Sequence, residues 1–323
     1  MKTTTKAYIS FLFICIVWGT TYLALRIGVL HYPPFLFAGV RQVISGIILS
    51  GIALMIYKKA DWSWNNLLQQ LVVGILLITM GNGLVTWAEK TIPSGIAALI
   101  CSMMPIFAVL INLATNGERL NIFIVLGMLL GFGGVALIFQ NNIAELGNRS
   151  YLLGIGTLFI ATFSWAVGSM MNKKRANKVN PIFNSGLQLF FGGIVMLFIS
   201  PVADSYEHID WMNKEGLLAL AYLIVFGSVL AFAAYMYALK ELPVGLVTSY
   251  AYVNPLVAVI LGYLILNETL NWFTALAFVS IICGVYVVNM GYRRQHKLKI
   301  AAEQRQEAAE VKSGTRKVKE LAD

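Results

Sequence analysis

The chain has 323 residues, of which 58% are hydrophobic and 12% charged, with a net charge of +9 and a mean hydropathy of +0.73. Soluble domains carry roughly 25% charged residues. A chain this poor in charge cannot cover a water-facing surface, which excludes a soluble globular protein and makes lipid its solvent.

Dividing the apolar runs by the roughly 20 residues that cross a bilayer gives ten helical segments. They lie near 7–30, 34–57, 67–88, 91–114, 120–140, 151–172, 181–201, 215–239, 243–266 and 272–291. The third and eighth, ending close to Glu89 and Lys240, are the least sharply bounded. The first is too long for a secretory h-region and lacks a small-residue cleavage site, so it reads as an uncleaved span. Cys15, Cys101 and Cys283 fall on separate spans without metal-ligand or CxxC spacing and read as small packing residues. His31, His208 and His296 sit outside spans or at their ends. Neither a metal nor a cofactor is expected.

The positive charge is one-sided. With the N-terminus placed in the cytoplasm, Lys2, Lys6, Lys58, Lys59, Arg119, Lys173, Lys174, Arg175, Lys178, Lys240 and the basic tail all lie inside. Only Lys90, Arg149 and Lys214 lie outside. This satisfies the positive-inside rule and predicts a multi-pass protein of the cell membrane, a bacterial inner membrane, with both termini cytoplasmic. The basicity then needs no nucleic acid. The tail after Tyr292 reads as a partly helical, solvated extension attracted to anionic lipid.

The segment from Gly95 to Asn121, GIAALICSMMPIFAVLINLATNGERLN, is echoed by GLVTSYAYVNPLVAVILGYLILNETLN from Gly245 to Asn271. Pro93, Gly95, Pro105, Glu118 and Leu120 recur 150 positions on as Pro243, Gly245, Pro255, Glu268 and Leu270. Trp18, Pro34 and Gly46 recur 147 positions on as Trp165, Pro181 and Gly193. Each copy holds five spans, and an odd number makes the second copy enter the bilayer from the opposite side. The expected fold is an all-α polytopic membrane protein, with ten transmembrane helices in two inverted-topology five-helix repeats. The repeats are 1–142 and 143–291, followed by a basic cytoplasmic tail, 292–323. Inverted repeats can exchange shapes, which is the physical basis of alternating access.

VWGTTYLALRIG, PPFLFAGVRQ, IPSGIAALICSMMPIFAVLINLATNGERLN and NPLVAVILGYLILNETLN together resemble the EamA-type permeases of the drug/metabolite transporter superfamily, over roughly residues 7–291. The resemblance implies a ten-helix basket whose central path is lined chiefly by the first, third and fourth helices of each half. It implies a transporter, with export as its direction, and leaves the solute open.

The polar residues that hydrocarbon should reject are the candidates for that path. Trp18, Tyr22 and Arg26 recur on one helical face, and Trp165, Ser169 and Lys173 repeat the spacing. These stripes read either as path lining or as an aromatic belt with a snorkelling cation. Arg41 lies two turns below Pro34, with Arg26 at similar depth. A central arginine costs roughly 2.5–3.5 kcal/mol to insert. Arg41 therefore either ties helix ends through carbonyls or Glu89, or binds a substrate carboxylate or phosphate. Glu89 is the candidate for any proton coupling. Thr79, Asn82, Thr86 and Glu89 form a polar face on the third span. Ser228, Phe232 and Tyr235 answer on the eighth, and Ser249, Tyr252 and Asn254 on the ninth. They suit a polar solute or helix–helix hydrogen bonds. Pro105 and Pro255 remove an amide hydrogen mid-span and read as hinges or static kinks. Glu118 and Glu268 read as solvated turn residues or as salt-bridge partners across the repeat interface. Gly127, Gly131, Gly133 and Gly134 predict close packing of the fifth span, against the tenth. Whether the protein is a monomer or a homodimer stays open.

Two other classes compete. A membrane-embedded enzyme would need a mid-span constellation of histidine, aspartate or clustered cysteine, or a GxSxG elbow, and none is present. A receptor or scaffold tolerates the spans but gives no reason for an inverted repeat. Within transport, a small amino acid or related metabolite is the preferred solute. A lipophilic cation drug is the alternative, which would want unpaired membrane carboxylates.

Overall fold

The structure is a computed structural model, and it describes residues 3–57, 60–116, 121–141, 148–175, 180–207, 209–242, 250–268 and 271–312. All regular structure among them is helical. Eight helices are long and apolar enough to cross a membrane, and Ile122–Leu137 and Val253–Leu266 are shorter apolar helices. These ten rods fall on the ten segments read from the sequence.

The first two rods are continuous helices, Thr3–His31 and Pro34–Tyr57. Pro34 opens the second, where its fixed φ suits a first helical turn and its missing N–H costs nothing. The third rod starts at Trp64, capped by the Ser63 side chain. It widens into a π-helix over Ile75–Gly83 and ends as Leu84–Ala88. The eighth repeats this plan, with Lys214–Tyr222, a π-helix over Leu223–Leu230 and Ala231–Glu241. The two π segments occupy equivalent places in the two halves. Such segments lodge an extra residue in the turn and leave carbonyls out of line, an arrangement frequent at functional sites.

The fourth rod is broken into Ser94–Cys101 and Met104–Asn116. The break at Ser102–Met103 leaves Pro105 in the first turn of the second piece, where proline fits. The Pro105 side chain lies outside the described residues. In the ninth rod, Tyr250–Leu266, the helix runs through Pro255 without a break. The fifth, sixth and seventh rods are Ile122–Asn141, Arg149–Arg175 and Pro181–Ala203. The tenth runs from Trp272 to Lys312, so the described part of the tail continues the last span as helix.

Two helix pairs organise the packing. In the second and seventh rods, a Cβ added to Gly39 would lie 3.1 Å from the Gly193 carbonyl oxygen, and one on Gly193 3.0 Å from that of Gly39. Likewise a Cβ on Gly46 would lie 2.7 Å from the Gly186 oxygen. Contacts that advance along one helix retreat along the other, so the pair is antiparallel. The repeat maps Gly39 onto Gly186 and Gly46 onto Gly193, so exchanging the halves maps the pair onto itself. The fifth and tenth rods do the same. A Cβ on Gly127 would lie 2.6 Å from the Gly284 oxygen, and one on Gly134 2.9 Å from that of Ala277. The sequence expectation for Gly127 and Gly134 is met, since missing side chains let backbones approach and dispersion replaces the absent hydrophobic drive.

Candidate functional site

The two π segments face a common cavity between the halves. Its wall takes Trp18 and Tyr22 from the first rod, Arg41 and Gln42 from the second, and Gly81 and Asn82 from the third. The second half contributes Trp165, Gly227, Ser228, Phe232 and Asn254.

The tryptophans sit reciprocally. Trp18 of the first half donates its indole N–H to the carbonyl of Gly227, in the second half's π segment, at 3.1 Å. Trp165 of the second half covers Gly81 in the first half's π segment, where an added Cβ would lie 2.7 Å from the ring. Aromatic neighbours fix the Trp18 ring. The centroids of Tyr250, Tyr235 and Phe232 lie 4.6, 5.2 and 6.1 Å away. Tyr235 therefore backs Trp18 rather than lining the cavity. Asn254, with its amide nitrogen toward them, donates to the carbonyls of Cys15 and Tyr250 at 3.1 Å each, joining the first and ninth rods.

The polar wall is built differently. Arg41 is buried at 4% exposure. Its Nε donates to Ser228 Oγ at 3.3 Å, while its Nη1 has no hydrogen-bond partner among the described residues. Among the described residues no hydrogen bond from Arg41 to a backbone carbonyl and no ion pair from Arg41 to Glu89 is found. Gln42 donates through Nε2 to Asn82 Oδ1 at 3.0 Å, linking the second and third rods, and its Oε1 has no hydrogen-bond partner among the described residues. Tyr22, Cys101 and Thr162 also line the cavity, and the Thr162 hydroxyl donates to the Leu158 carbonyl at 2.7 Å.

Other candidates lie apart from the cavity. Arg26 turns away and donates to the backbone carbonyl of Glu89. Glu89 is fully buried, and neither carboxylate oxygen has a hydrogen-bond partner among the described residues. Thr86 spends its hydroxyl on the Asn82 carbonyl at 2.9 Å. Thr79 donates to the Gly192 carbonyl at 2.9 Å, so it joins helices. Ser169 is half-buried outside the wall. The stripe of Trp18, Tyr22 and Arg26 thus divides, because eight residues of helix drift in azimuth. The side chains of Tyr252 and Lys173 lie outside the described residues, as do Glu118 and Ser249. Glu268 is not a solvated turn residue. It binds Ser94 across the halves.

Sequence reasoning passed over Gln42, Thr21, Ser102 and Tyr250, all in the wall. Adjacency to Arg41 was the signal for Gln42. No three His, Cys, Asp or Glu side chains gather among the described residues.

Comparison with known proteins agrees with this architecture. A model of the EamA-like transporter family matches residues 5–140 and again 152–290. The chain is 34% identical over 278 residues to the uncharacterized inner membrane transporter YedA of Escherichia coli, covering 85% of this chain and 88% of YedA. It is 28% identical over 298 residues to the uncharacterized transporter YvbV of Bacillus subtilis, covering 91% and 94%. A solved crystal structure superposes with a TM-score of 0.60 at 22% identity, over 90% of this chain and 98% of the other, a likeness of fold. The chain is a multi-pass membrane protein and belongs to the EamA-like transporter family.

Proposed function

We propose that the cavity is the solute site of a secondary transporter that works by alternating access between two inverted halves, exporting an amino acid or related carboxylate metabolite. The observation that carries this is the Arg41 guanidinium, buried in the cavity wall with Nη1 unpartnered. A buried charge demands a counter-charge, and an anionic group on the solute supplies it. The aromatic wall around Trp18, Trp165 and Phe232 then packs the apolar body. A lipophilic cation is the competing solute. The rings suit it, but no aspartate or glutamate lies among the described lining residues.

Uptake of a mixed metabolite pool into proteoliposomes, read by mass spectrometry, identifies the solute. Arg41→Ala should abolish uptake of the anionic or zwitterionic solutes. Undiminished uptake of all of them would end the electrostatic reading. If transport is proton-coupled, Glu89→Gln should remove dependence on a pH gradient while downhill exchange persists. Unchanged coupling eliminates Glu89. On this reading both termini and positions 58 and 178 face the cytoplasm. Cysteines introduced at 58 and 178 should react with an impermeant thiol reagent from that face alone, and reaction from opposite faces would overturn it.

A further inference from the structure

Arg41 and Gln42 leave opposite groups unsatisfied in one wall. Arg41 offers Nη1, a charged donor, and Gln42 offers Oε1, an acceptor, at 4% and 2% exposure. Buried polar atoms without partners are uncommon and costly. Two from consecutive residues, of opposite polarity and lining the same space, form a pattern complementary to a solute. The Gln42 amide is engaged from behind. Its nitrogen is spent on Asn82 Oδ1 at 3.0 Å, and Asn82 stands in the π segment Ile75–Gly83. The oxygen is therefore the atom left to face a ligand.

We infer that Gln42 determines specificity: its side-chain oxygen accepts a hydrogen bond from the donor group beside the carboxylate held at Arg41, so the solute is an α-amino or α-hydroxy carboxylate. This rests on the reading of Arg41 as the anion site. A simple carboxylate would satisfy Arg41 and leave the Gln42 oxygen desolvated and unpaired, which is how a site built around a hydrogen bond rejects an analogue lacking it. The recognition is a donor–acceptor match and involves no covalent step.

The test uses three solutes of one shape: leucine, its hydroxy analogue leucate and its deaminated analogue isocaproate. Binding to the purified full-length protein is measured by calorimetry. Wild type should bind leucine or leucate at least about tenfold more tightly than isocaproate. Gln42→Leu should reduce that ratio to about two or less while isocaproate affinity changes by under about threefold. Asn82→Ala, which frees the amide to turn, should lower the ratio as well and serves if the leucine variant does not fold. Equal binding of the three solutes by wild type, or an unchanged ratio in both variants, overturns the inference. If isocaproate still binds through Arg41, as judged by loss in Arg41→Ala, the anion site survives that failure. If no carboxylate binds wild type, the anion site itself is wrong and the role of Gln42 falls with it.

Discussion

The Glu268 carboxylate closes over the start of the Ser94–Cys101 helix. Its Oε1 accepts from the Ser94 amide at 2.8 Å and from Ser94 Oγ at 2.9 Å, and its Oε2 accepts from the Gly95 amide at 3.3 Å. A residue of the second half thus satisfies backbone donors of the first, where the helix dipole favours negative charge. Local structure aims it there. Asn267 takes a positive φ of 53°, the left-handed conformation that commonly ends a helix, and the Glu268 amide returns to the Gly262 carbonyl at 3.0 Å. A side chain at Gly262 would run into the carboxylate.

Glu268→Ala should therefore destabilise the protein by about 1–2 kcal/mol, the range for losing a helix cap. Ser94→Ala should cost less, because both backbone donors keep their acceptor. Thermal unfolding of the two variants in the same detergent checks the order. Equal midpoints would show the contact to be energetically idle.

Glycine substitutions separate packing from propensity. Alanine at Gly46 or Gly127 would press on backbone 2.5–2.6 Å away, whereas Gly133 and Gly156 have nothing within 4 Å. Gly156→Ala and Gly133→Ala should leave stability unchanged or raise it by about 0.5–1 kcal/mol through helix propensity. Gly46→Ala and Gly127→Ala should lower it by about 1–3 kcal/mol through overpacking. Unfolding midpoints decide between the two effects.

Trp18 and Trp165 are equivalent in the repeat and differ in bonding. Trp18→Phe keeps a ring among Tyr235, Tyr250 and Phe232 but leaves the Gly227 carbonyl without the indole donor. It should cost about 0.5–1.5 kcal/mol. No hydrogen bond from the Trp165 indole is found among the described residues, so Trp165→Phe should change stability less while altering the cavity wall. A larger loss at Trp165 than at Trp18 would contradict the asymmetry.

Ser228 accepts the one hydrogen bond found for the Arg41 side chain among the described residues. Ser228→Ala should loosen the guanidinium and raise the KM for an anionic solute roughly tenfold, the effect of a bond to a charged group. The maximal rate should change little. Steady-state uptake in proteoliposomes separates the two constants.

The cavity shows why some residues were legible in sequence and others were not. Arg41 stood out because charge is scarce in an apolar segment, and Trp18 and Trp165 because the repeat marks them as a pair. Gln42 did not, since a single amide in a membrane helix has many uses. Glu268 read from sequence as a solvated turn residue or a salt-bridge partner, whereas its contacts among the described residues are hydrogen bonds. That its partners are Ser94 and two backbone amides depends on where the Asn267 turn points it.

Composition and the small-residue pattern determined by themselves that the chain crosses a membrane as a set of apolar rods, and that Gly127 and Gly134 lie in a tight helix contact. These follow from the solvent, since lipid admits long helices with satisfied backbones and joins them through small residues. Only the tertiary structure decided that Arg26 leaves the cavity wall while Arg41 stays, that Gln42 keeps its oxygen free, and that π segments sit under both tryptophans. Those outcomes depend on helix azimuth and on which carbonyl or hydroxyl a neighbouring helix presents, information that is absent from any one segment read alone.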